Sequence, residues 1–219
     1  MIAYVKDEYG VDPVYEAQAG EKETDFRSYL LKAKATNPDA LVCSGLVDET
    51  VRCLVQSYEV GIPKSVARVA NSVASKVEVP TNAGKAAVGV SYAAAFAASD
   101  TRPIAKKFVK HIKSRYGVVP GHDFSQMEDL LTMLKPALEK AEKRFSGDLA
   151  SDRKAVRDSI AGITNFTGLA SGPISFCAAG SPECRDGNRT PVMIEYTKGG
   201  KNWKTKVAGT VTFNASAGL

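Results

Sequence analysis

The chain has 219 residues, of which 44% are hydrophobic and 24% are charged, so its composition is that of an ordinary globular protein with length enough to bury a core. Its 29 basic and 24 acidic residues give a net charge of +5 and are largely interleaved, without a nucleic-acid-binding module or an aromatic stacking pattern. We therefore expect no nucleic-acid partner. Since no apolar run approaches membrane-spanning length, we also expect no direct membrane insertion.

The first part of the chain alternates short apolar strands with amphipathic helices. Strand, helix and strand in succession form a βαβ unit, the building block of a parallel sheet with helices on its faces. In chain order, the pattern predicts a helix ending at Gly10 (residues 2–9), a strand at 11–17, a helix at 23–35, a buried parallel strand at 40–44, a helix from Asp48 or Glu49 to Gly61, a strand at 66–70, a short helix at 74–79 and a strand at 87–92.

The second part of the chain begins with helices alone and ends with strands. Pro136 is expected to kink or divide the second helix, and Ser151 is a plausible N-cap for the third. The predicted elements are helices at 102–115, 124–143 and 151–162, then strands at 173–177, 191–196 and 203–208 with a hairpin turn at 197–201. This order implies that the chain leaves one sheet and later returns to it.

Four cysteines are enough for two disulfides. Cys177 and Cys184 flank a short Gly/Pro/Ser loop between strand-like segments, so we favour a disulfide across its neck over two unpaired surface thiols. Such a bridge would imply an oxidising compartment. Cys43, in a buried strand, and Cys53, in the next helix, fit small buried residues at least as well as they fit a disulfide.

No catalytic or metal-binding motif stands out in the sequence. The two histidines, His111 on a basic helix face and His122 in a Pro-Gly loop, are expected at the surface. There is no nucleophile elbow, phosphate-binding loop or zinc-protease motif. We therefore predict a binding protein, not an enzyme, that uses no cofactor and no metal.

Two segments carry a resemblance to a known family. The first runs from G-E-K-x-x-D-F (20–26) to N-P-D-A (37–40), and the second is TGLASGPISF (167–176). Both are similar to bacterial type I periplasmic solute-binding proteins, and more narrowly to the ABC importer receptors that bind branched-chain amino acids and related small organic solutes. The resemblance runs along nearly the whole chain.

The resemblance implies the α/β fold of type I periplasmic binding proteins, in which two doubly wound α/β/α lobes are joined by crossing strands. Residues 1–91 and 174–219 would form the second, C-terminal lobe, and residues 92–173 would supply helices to the first. Because the family is longer, we expect an N-terminal portion, with its signal peptide, to be missing here. The alternative is a compact fold complete at 219 residues.

The resemblance also implies a function. The chain would be the substrate-binding component of a periplasmic ABC transporter, capturing a small polar organic solute between its lobes. Hinge closure would then deliver that solute to a membrane permease. The alternative is a ligand-sensing module of the same fold, acting in signalling or regulation.

Ligands of open α/β lobes meet the loops at the carboxyl ends of the strands. From those loops and from the helix starting near residue 124, the candidate ligand contacts are Leu46, Asn71, Ser72, Tyr92 and Phe124. Phe124 would border the cleft from the first lobe, although a core position suits it equally.

The ligand class depends on the second of these loops. Amino acid receptors of the family place a glutamate there, which pairs with the ligand's ammonium, whereas this chain has Ala70 or Asn71. Asn71 cannot neutralise a cation, which favours a carboxylate or an amide over an amino acid, unless Asn71 only caps the next segment. We assign Glu49, at a helix start, to the helix dipole, and we expect Arg68 to face solvent.

Overall fold

The computed structural model describes residues 6, 10–20, 23–170, 173–176 and 191–210. Strands and helices alternate in its first half, and helices dominate the middle. The elements are α1 (Arg27–Ala35), β1 (Ala40–Cys43), α2 (Val47–Glu59), β2 (Ala67–Ala70), a 3-10 turn (Ser72–Ser75), α3 (Glu78–Ala83), a second 3-10 turn (Gly84–Ala87), β3 (Val90–Ala94), α4 (Pro103–Tyr116), α5 (His122–Glu142), α6 (Leu149–Ala161), β4 (Val192–Lys198) and β5 (Lys204–Thr210).

The strands form one five-stranded sheet in the order β1-β2-β3-β4-β5. The first three are parallel, with Cys43 opposite Ala70 and Ala70 opposite Tyr92. Parallel strands need crossover connections, which α2 and the short helices before β3 supply. The predicted α/β class with a parallel sheet is therefore confirmed, and the carboxyl ends of β1 and β2 lie side by side.

The chain divides into two compact units. The first comprises residues 1–74, 78–92 and 196–204, and the second comprises 75–77, 93–195 and 205–219. The lobe boundaries expected from the resemblance, 1–91 with 174–219 against 92–173, stay a prediction.

The core of the first unit lies between α1 and the loop that follows α2. Phe26 and Leu30 pack with Ile62 and Val66. The buried side chain of Gln56 on α2 accepts a hydrogen bond from Phe26 N at 2.6 Å and donates one to Thr24 O at 2.9 Å. One amide thus satisfies two backbone groups at the start of α1, which is why α1 docks at a fixed place on α2.

The core of the second unit is organised around residues 168–170, inside the TGLASGPISF segment. The buried carboxylate of Asp129 on α5 accepts hydrogen bonds from Leu169 N at 2.6 Å and Ala170 N at 2.7 Å. The Arg102 guanidinium donates to the carbonyls of Gly168, Leu169 and Ala170. A Cβ at Gly168 would lie 2.1 Å from Asp129 Oδ1, so only glycine permits this contact.

Two element predictions were wrong near the start of the chain. Residues 11–17 form no strand, and Val14 is 68% exposed. An alternating apolar sequence becomes a strand only when another strand pairs with it, and none does so here among the described residues. The predicted helix at 74–79 is replaced by a 3-10 turn and the short helix α3.

Of two predictions about helix interiors and ends, one is narrowed and the other was wrong. Pro136 does not divide α5, which continues from His122 to Glu142 with the proline inside it, and the alternative of a kink at Pro136 stays a prediction. Asp148, not Ser151, caps α6: its carboxylate accepts a hydrogen bond from Ser151 N at 2.8 Å. Ser151 is therefore the third residue of the helix rather than its cap.

Several predictions concern residues outside those described. The helix end at 2–9 falls there apart from Lys6, and so does the proposed disulfide between Cys177 and Cys184. Of the predicted strand at 173–177, the described part forms an isolated antiparallel bridge between Ile174 and Phe166.

Arg68 is buried, so the expectation that it faces solvent was wrong. It is only 4% exposed, and its guanidinium donates to the carbonyls of Ile62 at 3.0 Å and Val66 at 3.1 Å. Its Nε donates to Ser57 Oγ at 3.2 Å, and its guanidinium carbon lies 4.2 Å from the centre of the Tyr58 ring. A mid-strand arginine is buried here because the turn after α2 presents carbonyls that need donors.

Candidate functional site

The candidate site is built in the first unit, where β1 and β2 end side by side. The loop after β1 contains Gly45 and Leu46, and Asn71 directly follows β2. Asn71 Nδ2 donates a hydrogen bond of 2.9 Å to Gly45 O. The two strand-end loops are therefore tied together by a side chain.

Gly45 allows the start of α2 to lie directly against the loop. A Cβ at this position would approach Glu49 Cβ to 2.7 Å, closer than side chains pack. Thr50 also contacts the loop, because its amide donates to Leu46 O at 2.9 Å and its hydroxyl donates to Gly45 O at 3.4 Å. The Glu49 side chain is thereby held beside Gly45.

Two side-chain oxygen atoms at this place are buried without a partner. Glu49 Oε2 and Asn71 Oδ1 are both shielded from solvent, and neither has a hydrogen-bond partner among the described residues. Asn71 was a candidate in the sequence analysis, whereas Glu49 was assigned to the helix dipole. The sequence signal that could have included Glu49 is its place one turn after a glycine at a strand end.

A disulfide fixes the loop at both ends. Cys43, the last residue of β1, is bonded to Cys53 on α2, with Cα atoms 5.9 Å apart and a sequence separation of ten. The sequence alone allows either a disulfide or two small buried residues for this pair, and the structure forms the disulfide. The bridge closes a loop that includes Gly45, Leu46 and Glu49, so the candidate residues are anchored to both β1 and α2.

The remaining candidates of the first unit differ in exposure. Leu46 is 72% exposed, and Ser72, which begins the 3-10 turn, is also exposed. Tyr92 is 4% exposed and lies within β3, with its ring centre 5.3 Å from that of Tyr196. Burial raises the pKa of the Tyr92 hydroxyl to about 12. As contacts of a ligand, all three stay predictions.

Phe124 belongs to the second unit, in the first turn of α5, and is 44% exposed. The prediction that the nearby His122 lies at the surface was wrong, since its side chain is only 12% exposed. Its Nδ1 lies 2.5 Å from Ser75 Oγ and its Nε2 lies 2.9 Å from Asp123 Oδ1. The contact with Ser75 joins residues 75–77 to the start of α5. His111 is exposed on α4, as expected.

Two recesses in the surface are lined by residues other than the candidates. One recess of about 530 Å³ lies along α4, and another of about 450 Å³ lies between the end of α1 and the turn before β2. The described part of the chain contains no cluster of histidine, cysteine and acidic side chains that could hold a metal ion. None of its helices is both long enough and apolar enough to cross a bilayer.

The fold is that of several solved solute-binding proteins. The leucine-binding protein LivK of Thermotoga maritima is 24% identical, with a TM-score of 0.73 over 90% of this chain and 51% of that one. LivJ of Streptococcus pneumoniae, solved with isoleucine, is 21% identical, with a TM-score of 0.77 over 96% and 55%. A solute-binding protein of R. palustris, solved with benzoate, is 17% identical, with a TM-score of 0.74 over 98% and 56%.

The chain thus spans about half the length of the solved structures that it matches. No curated protein matches it in sequence. The family described as periplasmic binding protein matches residues 2–185, which is most of the chain. Together with the parallel sheet and its strand-end loops, this match shows that the chain belongs to the periplasmic binding protein family.

Proposed function

We propose that the chain is part of the substrate-binding component of an ABC importer, which captures a small polar organic solute and delivers it to a membrane permease. The match to the periplasmic binding protein family along residues 2–185 carries this proposal. The family consists of solute-binding proteins, so the step performed is binding and release, without a chemical reaction or a cofactor.

The ligand class is narrowed by the similar structures. LivK is named as a leucine-binding protein, LivJ was solved with isoleucine and the R. palustris protein with benzoate. A small organic molecule that bears a carboxylate is common to all three. We infer that this chain binds an amino acid, an aromatic acid or an amide of similar size, with Leu46, Asn71 and Ser72 among its contacts and with Tyr92 and Phe124 as further candidates.

The proposed location is the periplasm. The family gives this expectation, and the Cys43–Cys53 disulfide supports it, because disulfides persist in oxidising compartments such as the bacterial periplasm and are rare in the cytosol.

Ligand-dependent stability tests the proposal. We expect at least one of leucine, isoleucine, benzoate and their amides to raise the thermal midpoint of the 219-residue chain. Binding to the folded state alone adds about 2.7 kcal/mol to the free energy of unfolding at a hundred times the dissociation constant. The measurement is a thermal melt followed by circular dichroism, with and without each compound at millimolar concentration.

A pair of variants separates binding at the strand ends from a general effect. Leu46→Ala removes an exposed side chain, so the ligand-free midpoint should hardly change while the ligand-induced shift falls. Val88→Ala is the matched control: Val88 is also exposed but precedes β3, at the opposite end of the strands. A cooperative melt that none of the compounds shifts would refute the proposed function.

A further inference from the structure

We propose that the exposed basic face of α4 binds the anionic headgroups of a phospholipid membrane. The helix has fourteen residues, of which five are lysine or arginine and none is acidic: Lys106, Lys107, Lys110, Lys113 and Arg115. The 24 basic residues outside α4 balance the 24 acidic residues of the chain, so its whole net charge of +5 resides in this one helix. So uneven a distribution gives α4 an electrostatic field that the rest of the chain lacks.

The four lysines of α4 lie together on its solvent side. Residues three and four apart are neighbours on a helix surface, which joins Lys106 and Lys107 to Lys110, and Lys110 to Lys113. All four are exposed, and none forms an ion pair with another described residue. Asp100, the acid that precedes the helix, pairs with Arg102 instead. The four ammonium groups are therefore available to an external anion.

The arrangement of these lysines destabilises the helix. Lys106 and Lys107 lie four and three residues before Lys110, and like charges at these spacings repel one another. Positive charge near the start of a helix also opposes its dipole, and the first turn of α4 has no acidic residue to offset it. Lys113 and Arg115, in the last turn, suit the dipole. The three earlier lysines have no such structural role, so a partner outside the chain accounts for them better.

The apolar side of α4 is committed to the core of the second unit. Ala105 is buried with Phe96 and Leu169, and Phe108 and Val109 pack against this cluster. An amphipathic helix that lies in a bilayer must bury its apolar side in the acyl chains, and this side of α4 already faces the protein. Binding to a membrane is therefore electrostatic and stays at the level of the headgroups, in agreement with the expected absence of direct membrane insertion.

A lipid surface fits this face better than an ordered anionic group does. Lysine is a compact point charge on a flexible stem, which suits mobile headgroup phosphates, whereas fixed carboxylates and phosphates are usually recognised by arginine forks. Clusters of four or more basic residues on a helix are typical of binding to acidic lipids. The recess of about 530 Å³ along α4 is lined by Lys106, Lys110 and Lys113, so a headgroup phosphate can lie among three ammonium groups.

Co-sedimentation of the 219-residue chain with lipid vesicles tests the proposal. We expect the chain to bind vesicles of mixed phosphatidylglycerol and phosphatidylcholine and not vesicles of phosphatidylcholine alone. Binding should be lost at about 0.5 M NaCl, because salt screens exposed charges. The variant K106Q/K107Q/K110Q should bind about a hundredfold more weakly at low salt, since each lysine near an anionic surface contributes about fivefold in affinity. Its thermal midpoint should stay unchanged or rise, because repulsion within α4 is relieved.

The matched control removes the same charge from elsewhere. K64Q/K85Q/K201Q neutralises three exposed lysines of the first unit, so its net charge equals that of the α4 variant. We expect this control to weaken vesicle binding by less than about threefold, because its lysines are not clustered on one helix face. No solute enters the measurement, so its result is independent of the proposed solute binding.

Four results would overturn the proposal. The first is no binding to the anionic vesicles at low salt. The second is equal weakening by both triple variants, which would reduce the effect to net charge alone. The third is binding to soluble polyglutamate but not to vesicles, which would assign the face to an acidic protein. The fourth is a thermal midpoint that falls in K106Q/K107Q/K110Q alone, which would assign these lysines to the fold.

Discussion

At the scale of single residues, the protein uses long polar side chains to satisfy the backbone of its turns. Arg68 serves the carbonyls after α2, Gln56 the start of α1, and Asp129 the amides at 169–170. Each of these side chains is buried, although its type is usually exposed. Composition alone cannot identify such residues, because their partners are backbone groups that only the fold brings near.

Arg68 offers a direct test of this arrangement. Arg68→Met should lower the free energy of unfolding by about 2 to 4 kcal/mol, because buried carbonyls of the turn lose their donors while the volume is nearly kept. Arg68→Lys should recover only part, since one ammonium cannot reproduce the fork of guanidinium donors. Urea unfolding followed by circular dichroism gives the values.

The matched control is Arg52→Met. Arg52 lies on α2, the helix against which Arg68 packs, but its side chain is exposed. It should change stability by less than about 0.5 kcal/mol. If R68M cost no more than R52M, the buried guanidinium would be dispensable.

At the scale of secondary-structure elements, the sequence predicted what depends on local periodicity. The strands at 40–44 and 66–70 and the helix between them were predicted within a few residues, because hydrophobic spacing and flanking turns set them. The predicted strand at 11–17 failed because pairing with another strand, not its own alternation, decides strand formation.

The same limit applies to the candidate site. The two strand-end loops could be chosen from the sequence, because carboxyl ends of parallel strands share one edge. The placement of Glu49 against Gly45 could not be predicted, since it depends on the close packing of α2 on this glycine. The bonding partner of Cys43 could not be predicted either, because two cysteines ten residues apart can be bonded only if helix and strand turn back on one another.

The disulfide between β1 and α2 should stabilise the folded protein, because it restricts the conformations of the unfolded chain. For a loop of this length, we expect the double variant Cys43→Ala, Cys53→Ala to lose about 2 to 3 kcal/mol of unfolding free energy. Urea unfolding of both proteins, with and without reductant, provides the measurement. The variant's own response to reductant isolates any contribution of Cys177 and Cys184. A loss in reductant as large in the variant as in the unaltered chain would exclude a stabilising Cys43–Cys53 bridge.

At the scale of the whole molecule, two buried tyrosines link the stability of the fold to alkaline pH. The rings of Tyr92 and Tyr196 lie against each other at a tilt of 37° in the first unit, and the Tyr196 hydroxyl donates to Ala74 O. Burial raises the pKa of Tyr92 to about 12 and raises that of Tyr196 as well. Both hydroxyls therefore keep their protons in the folded state at pH values where the unfolded chain, with an ordinary tyrosine pKa near 10, loses them.

The sign of the pH dependence follows from proton binding. Below pH 10 both states hold the tyrosine protons, so these groups leave stability constant. From pH 10 towards 12 the unfolded state binds fewer protons than the folded state, and stability falls by about 1.4 kcal/mol per pH unit for each such tyrosine.

Urea unfolding at pH 9, 10 and 11 should show this decline. Tyr92→Phe should make it shallower, because one of the two linked protons is gone, whereas Tyr116→Phe, at an exposed position, should leave the slope unchanged. Equal slopes in Y92F and the unaltered chain would mean that the Tyr92 hydroxyl ionises alike in both states, and Tyr92 would then contribute nothing to alkaline unfolding.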